Sequence, residues 1–188
     1  MTRRQPHILV LMLSASDPSV GRLCVPALQL ALREAGATSA AWDIRSLPPV
    51  WVDKRELHEF PPAYSELAEA IEASDGVVLV VPIHCYAVSG SAKTVTEIVA
   101  EALTRKPVAI VTAAGSTRSH LAPRDLMTSL MLNQETICYP GTVQATEDLM
   151  QGTRPNKELR GRLADLAAHF VSFVSALQPF IDEFGAEA

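Results

Sequence analysis

Cysteine is sparse in this sequence: Cys24, Cys85 and Cys138 stand far apart and in no metal-ligand pattern. An odd, scattered set does not fit a secreted disulfide framework and suits a reducing compartment, so a cytoplasmic location is expected. Positive charge is also short, with 16 Lys and Arg against 21 Asp and Glu and a net charge of −5. That balance argues against nucleic acid and anionic membrane as partners. No apolar run approaches the roughly 20 residues needed to span a bilayer, which points to a soluble chain. The five histidines, His7, His58, His84, His120 and His169, lack the spacing of a zinc site, so no metal is expected. No acid–base pair or nucleophile triad stands out, and no catalytic side chain is nominated. Arg3-Arg4 before Ile8 to Leu13 imitates a secretory signal. The apolar stretch is shorter than the usual h-region of roughly 7 residues or more, and Asp17-Pro18 follows, so it reads as a first β-strand.

What is present is alternation. At 188 residues and 48% hydrophobic content the chain can bury a core as one domain spanning residues 1–188. Three bounded apolar runs, Ile8 to Leu13, Val77 to Val81 and Val108 to Thr112, read as central strands. Ser39 to Ile44 and Thr136 to Val143, the latter interrupted by Pro140-Gly141, read as outer strands. Helical patterns lie between and after them: Leu23 to Glu34, Ala63 to Ala73, Ser91 to Leu103, Leu121 to Leu132 and Asn156 to Leu177. Phe184 to Ala188 are expected to fray. Each parallel connection must cross one face of the sheet, so the expectation is an α/β three-layer sandwich around a five-stranded parallel sheet in the order 2-1-3-4-5. In that order ligands collect at the carboxyl ends of strands 1, 3 and 4. The Pro- and Trp-rich stretch from Leu47 to Pro62 is a long irregular connection, and Trp51 and Phe60 within it are either interface aromatics or local core.

After strand 1, Ser14, Ser16 and Ser19 offer hydroxyls next to the free N–H groups of the following helix. They either donate to a phosphate or simply cap the helix, and Arg22 adds charge if it turns inward. After strand 3 come His84, Cys85 and Tyr86, then Ser89-Gly90, a setting in which a flat ring can meet backbone amides and an aromatic neighbour. Lys93 is either solvated or paired across an interface. After strand 4, Gly115 can bring its backbone close to a ligand, and Thr117, Arg118 and Ser119 lie where a more loosely held nicotinamide dinucleotide could be met.

These residues resemble the NAD(P)H-dependent FMN reductase family, a flavodoxin-like group that includes the flavin reductases of two-component sulfonate monooxygenases. The family's Pro-x-Tyr-x-x-x-x-Ser-Gly-x-x-Lys stretch is matched by Pro82 to Lys93, and Trp42 to Pro48 is similar to its second strand and exit. The resemblance implies FMN as cofactor or substrate and NAD(P)H as reductant. It implies that Ser14, Ser16 and Ser19 hold the FMN phosphate, that Pro82, His84, Cys85 and Tyr86 border the ring, and that Gly115 and Ser116 face its pyrimidine end. It further implies a homodimer or homotetramer and a partner monooxygenase. Two departures stand out: the family's loop arginine is replaced, with Asp17 in that neighbourhood, and His84 stands where tyrosine is usual. An acidic residue near a phosphate works against tight retention of FMN. A quinone, azo-dye or metal-oxyanion reductase with bound FMN, and a binding module that has lost flavin turnover, remain as alternatives.

Overall fold

A computed structural model describes residues 4–185. Its strands and helices follow from the apolar runs. β1 (His7–Met12) and β3 (Gly76–His84) are buried on both faces, as is β5 (Pro107–Ala114), and so each reads as a continuous run of β-branched and aliphatic residues. β2 (Thr38–Asp43) and β6 (Ile137–Thr146) are only partly covered and lie at the edges. The five pair in parallel in the order β2-β1-β3-β5-β6. This is the expected order once β4 (Ala87–Val88) is counted, a short strand that folds back antiparallel on the end of β3.

Alternation along the strands divides the interior into two cores. On one face Leu9, Leu11 and Leu79 pack against Tyr64 and Leu67 of α2 (Pro62–Glu72), Val95 of α3 (Gly90–Ile98) and Leu126 of α4 (Pro123–Gln134). On the other, Val10, Val78 and Val80 meet Leu28 of α1 (Val20–Glu34) and Leu163 and Phe170 of α5 (Lys157–Gly185). Each fully buried aliphatic side chain stabilises the fold by roughly 1.5–3 kcal/mol relative to exposure. By length and composition the Lys157–Ile181 stretch of α5 could cross a membrane. Its apolar stripe, Leu159, Leu163, Leu166, Phe170 and Val174, is instead buried against the sheet and α1. The contiguous-run criterion passed over this segment because polar residues interrupt it.

Several sequence boundaries change. α3 stops at Ile98 and a separate 3₁₀ turn, Glu101–Leu103, follows; the β-branched Thr94, Val95, Thr96 and Ile98 in its last turns are weak helix formers. Pro140-Gly141 does not end its strand. Cys138 pairs with Val108 and Thr142 with Ile110, so the proline sits in a bulge on an edge strand that continues to Thr146. A small hairpin, β7 (Met150–Gln151) with β8 (Arg154–Pro155), precedes α5. α5 runs through Gly185, while 186–188, part of the stretch expected to fray, lie outside the described residues.

Candidate functional site

The β1–α1 loop is held in shape by an arginine from the helix it precedes. Arg22 donates from Nη2 to the Ser14 carbonyl at 2.9 Å and from Nη1 to the Ser16 carbonyl at 2.6 Å. Its Nε donates to Asp43 at the end of β2 at 2.8 Å. The guanidinium is thus engaged on the loop backbone and on a carboxylate, where it shapes the loop from within. Asp43 also accepts from Arg45, whose Nη1 donates to Asp17 at 2.8 Å. The result is an alternating chain, Arg22–Asp43–Arg45–Asp17. Asp17, expected to weigh against a phosphate, is countered by its own arginine. Burial pushes the Asp43 carboxyl up, but hydrogen bonds from the Arg22 side chain and from the Arg45 backbone and side chain, with the charge of Arg22, outweigh it and hold the pKa at about 2.

Ser14 is buried and its Oγ accepts from the Ser16 N–H at 3.3 Å. Ser19 is the N-cap of α1, its Oγ accepting from the Arg22 N–H at 3.4 Å. The capping role is therefore real for Ser19, while the N–H groups of Val20 and Gly21 sit in the first turn, where a helix offers no internal acceptor. Gly21 lets that turn press onto the sheet: a Cβ there would lie 3.0 Å from Val80 Cγ1 and 3.2 Å from Ala113 Cβ.

At the end of β3, Pro82 is buried and His84 exposed. Cys85 and Tyr86 then form the two-residue turn to β4, both left-handed at φ 50° and 64°, the type I′ geometry of a tight hairpin. Both side chains are exposed on the hairpin tip. Burial pushes the Cys24 and Cys138 thiols up to about 11. At the end of β5, Gly115 faces open space: a Cβ built there meets no heavy atom within 4 Å.

These loops enclose a cleft of about 210 Å³ at the carboxyl edge of the sheet. Of the nine residues expected at a site, Ser14, Ser16, Ser19, Pro82, His84 and Gly115 line it together. Cys85 and Ser116 adjoin lining residues in sequence and Tyr86 is two positions from His84, but none of the three is among them. The sequence reading missed Glu147, which lines the same cleft. The rule that ligands gather at strand carboxyl ends would have reached it had the last strand been followed past Val143. Other expectations resolve locally. Lys93 donates to Ser129 Oγ at 3.1 Å and pairs with Glu97, tying α3 to α4. Phe60 is buried against Tyr64 under the Arg55 guanidinium, hence local core, whereas Trp51 is 87% exposed. Ser119 is buried in a 3₁₀ turn while Thr117 and Arg118 are exposed. Across the loop at Ala15 lies a second, more apolar pocket of about 500 Å³, walled partly by Leu47, Pro48 and Trp51.

Residues 6–149 match the family described as NADPH-dependent FMN reductase. The chain belongs to the NADPH-dependent FMN reductase family. Among solved structures, this FMN reductase family member is similar to an oxidoreductase from Corynebacterium diphtheriae, with 23% identity and a TM-score of 0.71 over 90% of this chain and 97% of that one. It is also similar to FerB, a flavoenzyme NAD(P)H:(acceptor) oxidoreductase from Paracoccus denitrificans, with 16% identity and a TM-score of 0.74 over 91% and 98%. An NADH:FMN oxidoreductase aligns at 17% identity with a TM-score of 0.65 over 89% of each chain. Among curated proteins none matches significantly. At these identities the structural likeness establishes the flavodoxin-like fold, and the family match carries the chemistry, NAD(P)H-dependent reduction of flavin. The residue types at the cleft suit FMN: hydroxyls and first-turn amides match a phosphate monoester, and the open space at Gly115 leaves its backbone accessible.

Proposed function

We propose that the whole chain acts as one flavin-binding unit in which this cleft holds FMN for reduction by NAD(P)H. The hydroxyls of Ser14, Ser16 and Ser19 and the first-turn amides of α1 donate to the phosphate. Pro82 and His84 wall the ring, Cys85 and Tyr86 border its outer edge, and Gly115 and Ser116 offer backbone groups to its pyrimidine end. Bound FMN supplies the redox chemistry, accepting two electrons from the nicotinamide. The protein's part is distance, orientation and local charge, so no acid–base side chain is required. The reading rests on one observation, the meeting of three sequence-distant loops in a single cleft.

Ser16, His84, Gly115 and Glu147 of the cleft lining are exposed, which supports an open, exchangeable site more than a sealed one. Flavin released reduced would feed a partner monooxygenase. The free thiols support a cytoplasmic setting, and the exposed apolar Trp51 and Leu132 support assembly into a homodimer or homotetramer. Purified protein mixed with FMN and NADPH or NADH is expected to oxidise the nicotinamide well above the free-flavin background. Oxidation no faster than that background, with either nucleotide, overturns the proposal.

A further inference from the structure

The cleft is walled by hydroxyls, backbone, apolar carbons and the exposed His84, and among the described residues no lysine or arginine lines it. The nearest guanidiniums are engaged elsewhere, Arg22 on the Ser14 and Ser16 carbonyls and Asp43, Arg45 on Asp43 and Asp17. Among the lining residues Glu147 is the one carboxylate. Its position follows from the sheet. Ala113 pairs with Ala145 and Ala114 with Thr146, so the residue after β6 emerges at the carboxyl edge of the sheet, where it lines the cleft together with Ser16, Ser19 and Val20 of the β1–α1 junction. The short turn Glu147–Leu149 is anchored by buried Leu149, which fixes the backbone beneath the carboxylate. Glu147 is exposed and makes no hydrogen bond or ion pair among the described residues.

Resting on the reading that the serine loop holds the flavin phosphate, we infer that Glu147 is a specificity-determining residue: its carboxylate repels the phosphate of FMN and narrows the preference for FMN over riboflavin. A phosphate monoester carries roughly −1.5 to −2 charges at neutral pH. Across a cleft of this size, with water-like screening, the repulsion weakens FMN binding by about five- to tenfold. Riboflavin has the same ring and ribityl chain without the phosphate and escapes the effect. The consequence for the reaction is a flavin site that lets its phosphorylated ligand go.

The test compares dissociation constants for FMN and riboflavin, read by quenching of flavin fluorescence, in the wild-type chain, Glu147→Gln, Glu147→Lys and Ser16→Ala. The expected result is FMN binding tightened about five- to tenfold in Glu147→Gln and further in Glu147→Lys, with riboflavin changed less than about twofold. The gain should shrink when salt rises from roughly 0.05 M to 0.5 M, as the screening length falls below the width of the cleft. If Ser16→Ala weakens FMN alone while both Glu147 variants leave the FMN-to-riboflavin ratio unchanged, the inference is overturned and the phosphate reading stands. If Glu147→Gln weakens both flavins alike, the carboxylate accepts hydrogen bonds from the flavin, and the inference is equally overturned. If Ser16→Ala and the Glu147 variants shift both flavins equally, the phosphate lies elsewhere and both readings fall.

Discussion

Asp43 is the residue on which the loop arrangement turns, since it faces Arg22 and Arg45 at once and joins the end of β2 to the end of β1. Its carboxyl titrates at about 2 in the fold against 3.8 ordinarily. A depressed carboxyl contributes stability that is fully present above the unfolded value and is lost as the pH falls through the folded one. The stability gap between wild type and Asp43→Asn, read as urea midpoints, is therefore expected to hold steady from pH 7 down to about 5 and to close between about pH 4 and pH 2. A gap that stays constant to pH 2 would contradict the pairing. At this scale the sequence was only half legible. The serines after the first strand could be nominated because a strand-to-helix junction needs hydroxyls whatever it binds. The direction of Arg22 could not, because its partner Asp43 lies 21 residues away and is brought there by strand pairing.

Between β3 and β4 the chain makes a two-residue reversal with Cys85 and Tyr86 in a conformation that favours Asn-Gly. Each left-handed L-residue of this kind costs roughly 1–2 kcal/mol. Replacing the pair, Cys85→Asn with Tyr86→Gly, is expected to raise stability by about 1–2 kcal/mol in urea unfolding. If both flavin affinity and turnover are also unchanged, neither side chain borders the ring. A loss of stability in the double variant would show that tip contacts outweigh the backbone strain. The strain also explains why β4 was invisible in the sequence: Cys-Tyr carries no turn signal, so the stretch read as a loop running straight into a helix. Pro140-Gly141 misled in the opposite sense, as a breaker that the edge strand absorbs in a bulge. β3 and β5, by contrast, were legible to within about three residues, because strands buried on both faces have little choice but continuous β-branched and aliphatic residues.

At the scale of the molecule, the strand order was legible because alternation of strand and helix leaves few ways to cover both faces of a parallel sheet. The apolar side chains left outside that packing were legible only in part: Trp51 stood out as an interface aromatic or local core, and Leu132 did not stand out. Trp51, Leu132 and Tyr86 remain 87%, 82% and 63% exposed while two full cores are closed beneath them. Assembly through such faces predicts a sedimenting mass at least twice that of the single chain at micromolar concentration, and a monomer there removes the proposed homodimer or homotetramer. The alternating arginines and aspartates beside the cleft have a consequence for encounter. Two positive and two negative groups cancel, so this flank exerts no long-range pull on an anionic nucleotide diffusing in, and the surplus of five negative charges on the whole chain opposes its approach. Capture of the reductant is left to contact at the mouth of the site, so its association rate rises with ionic strength where a positively charged funnel would make it fall.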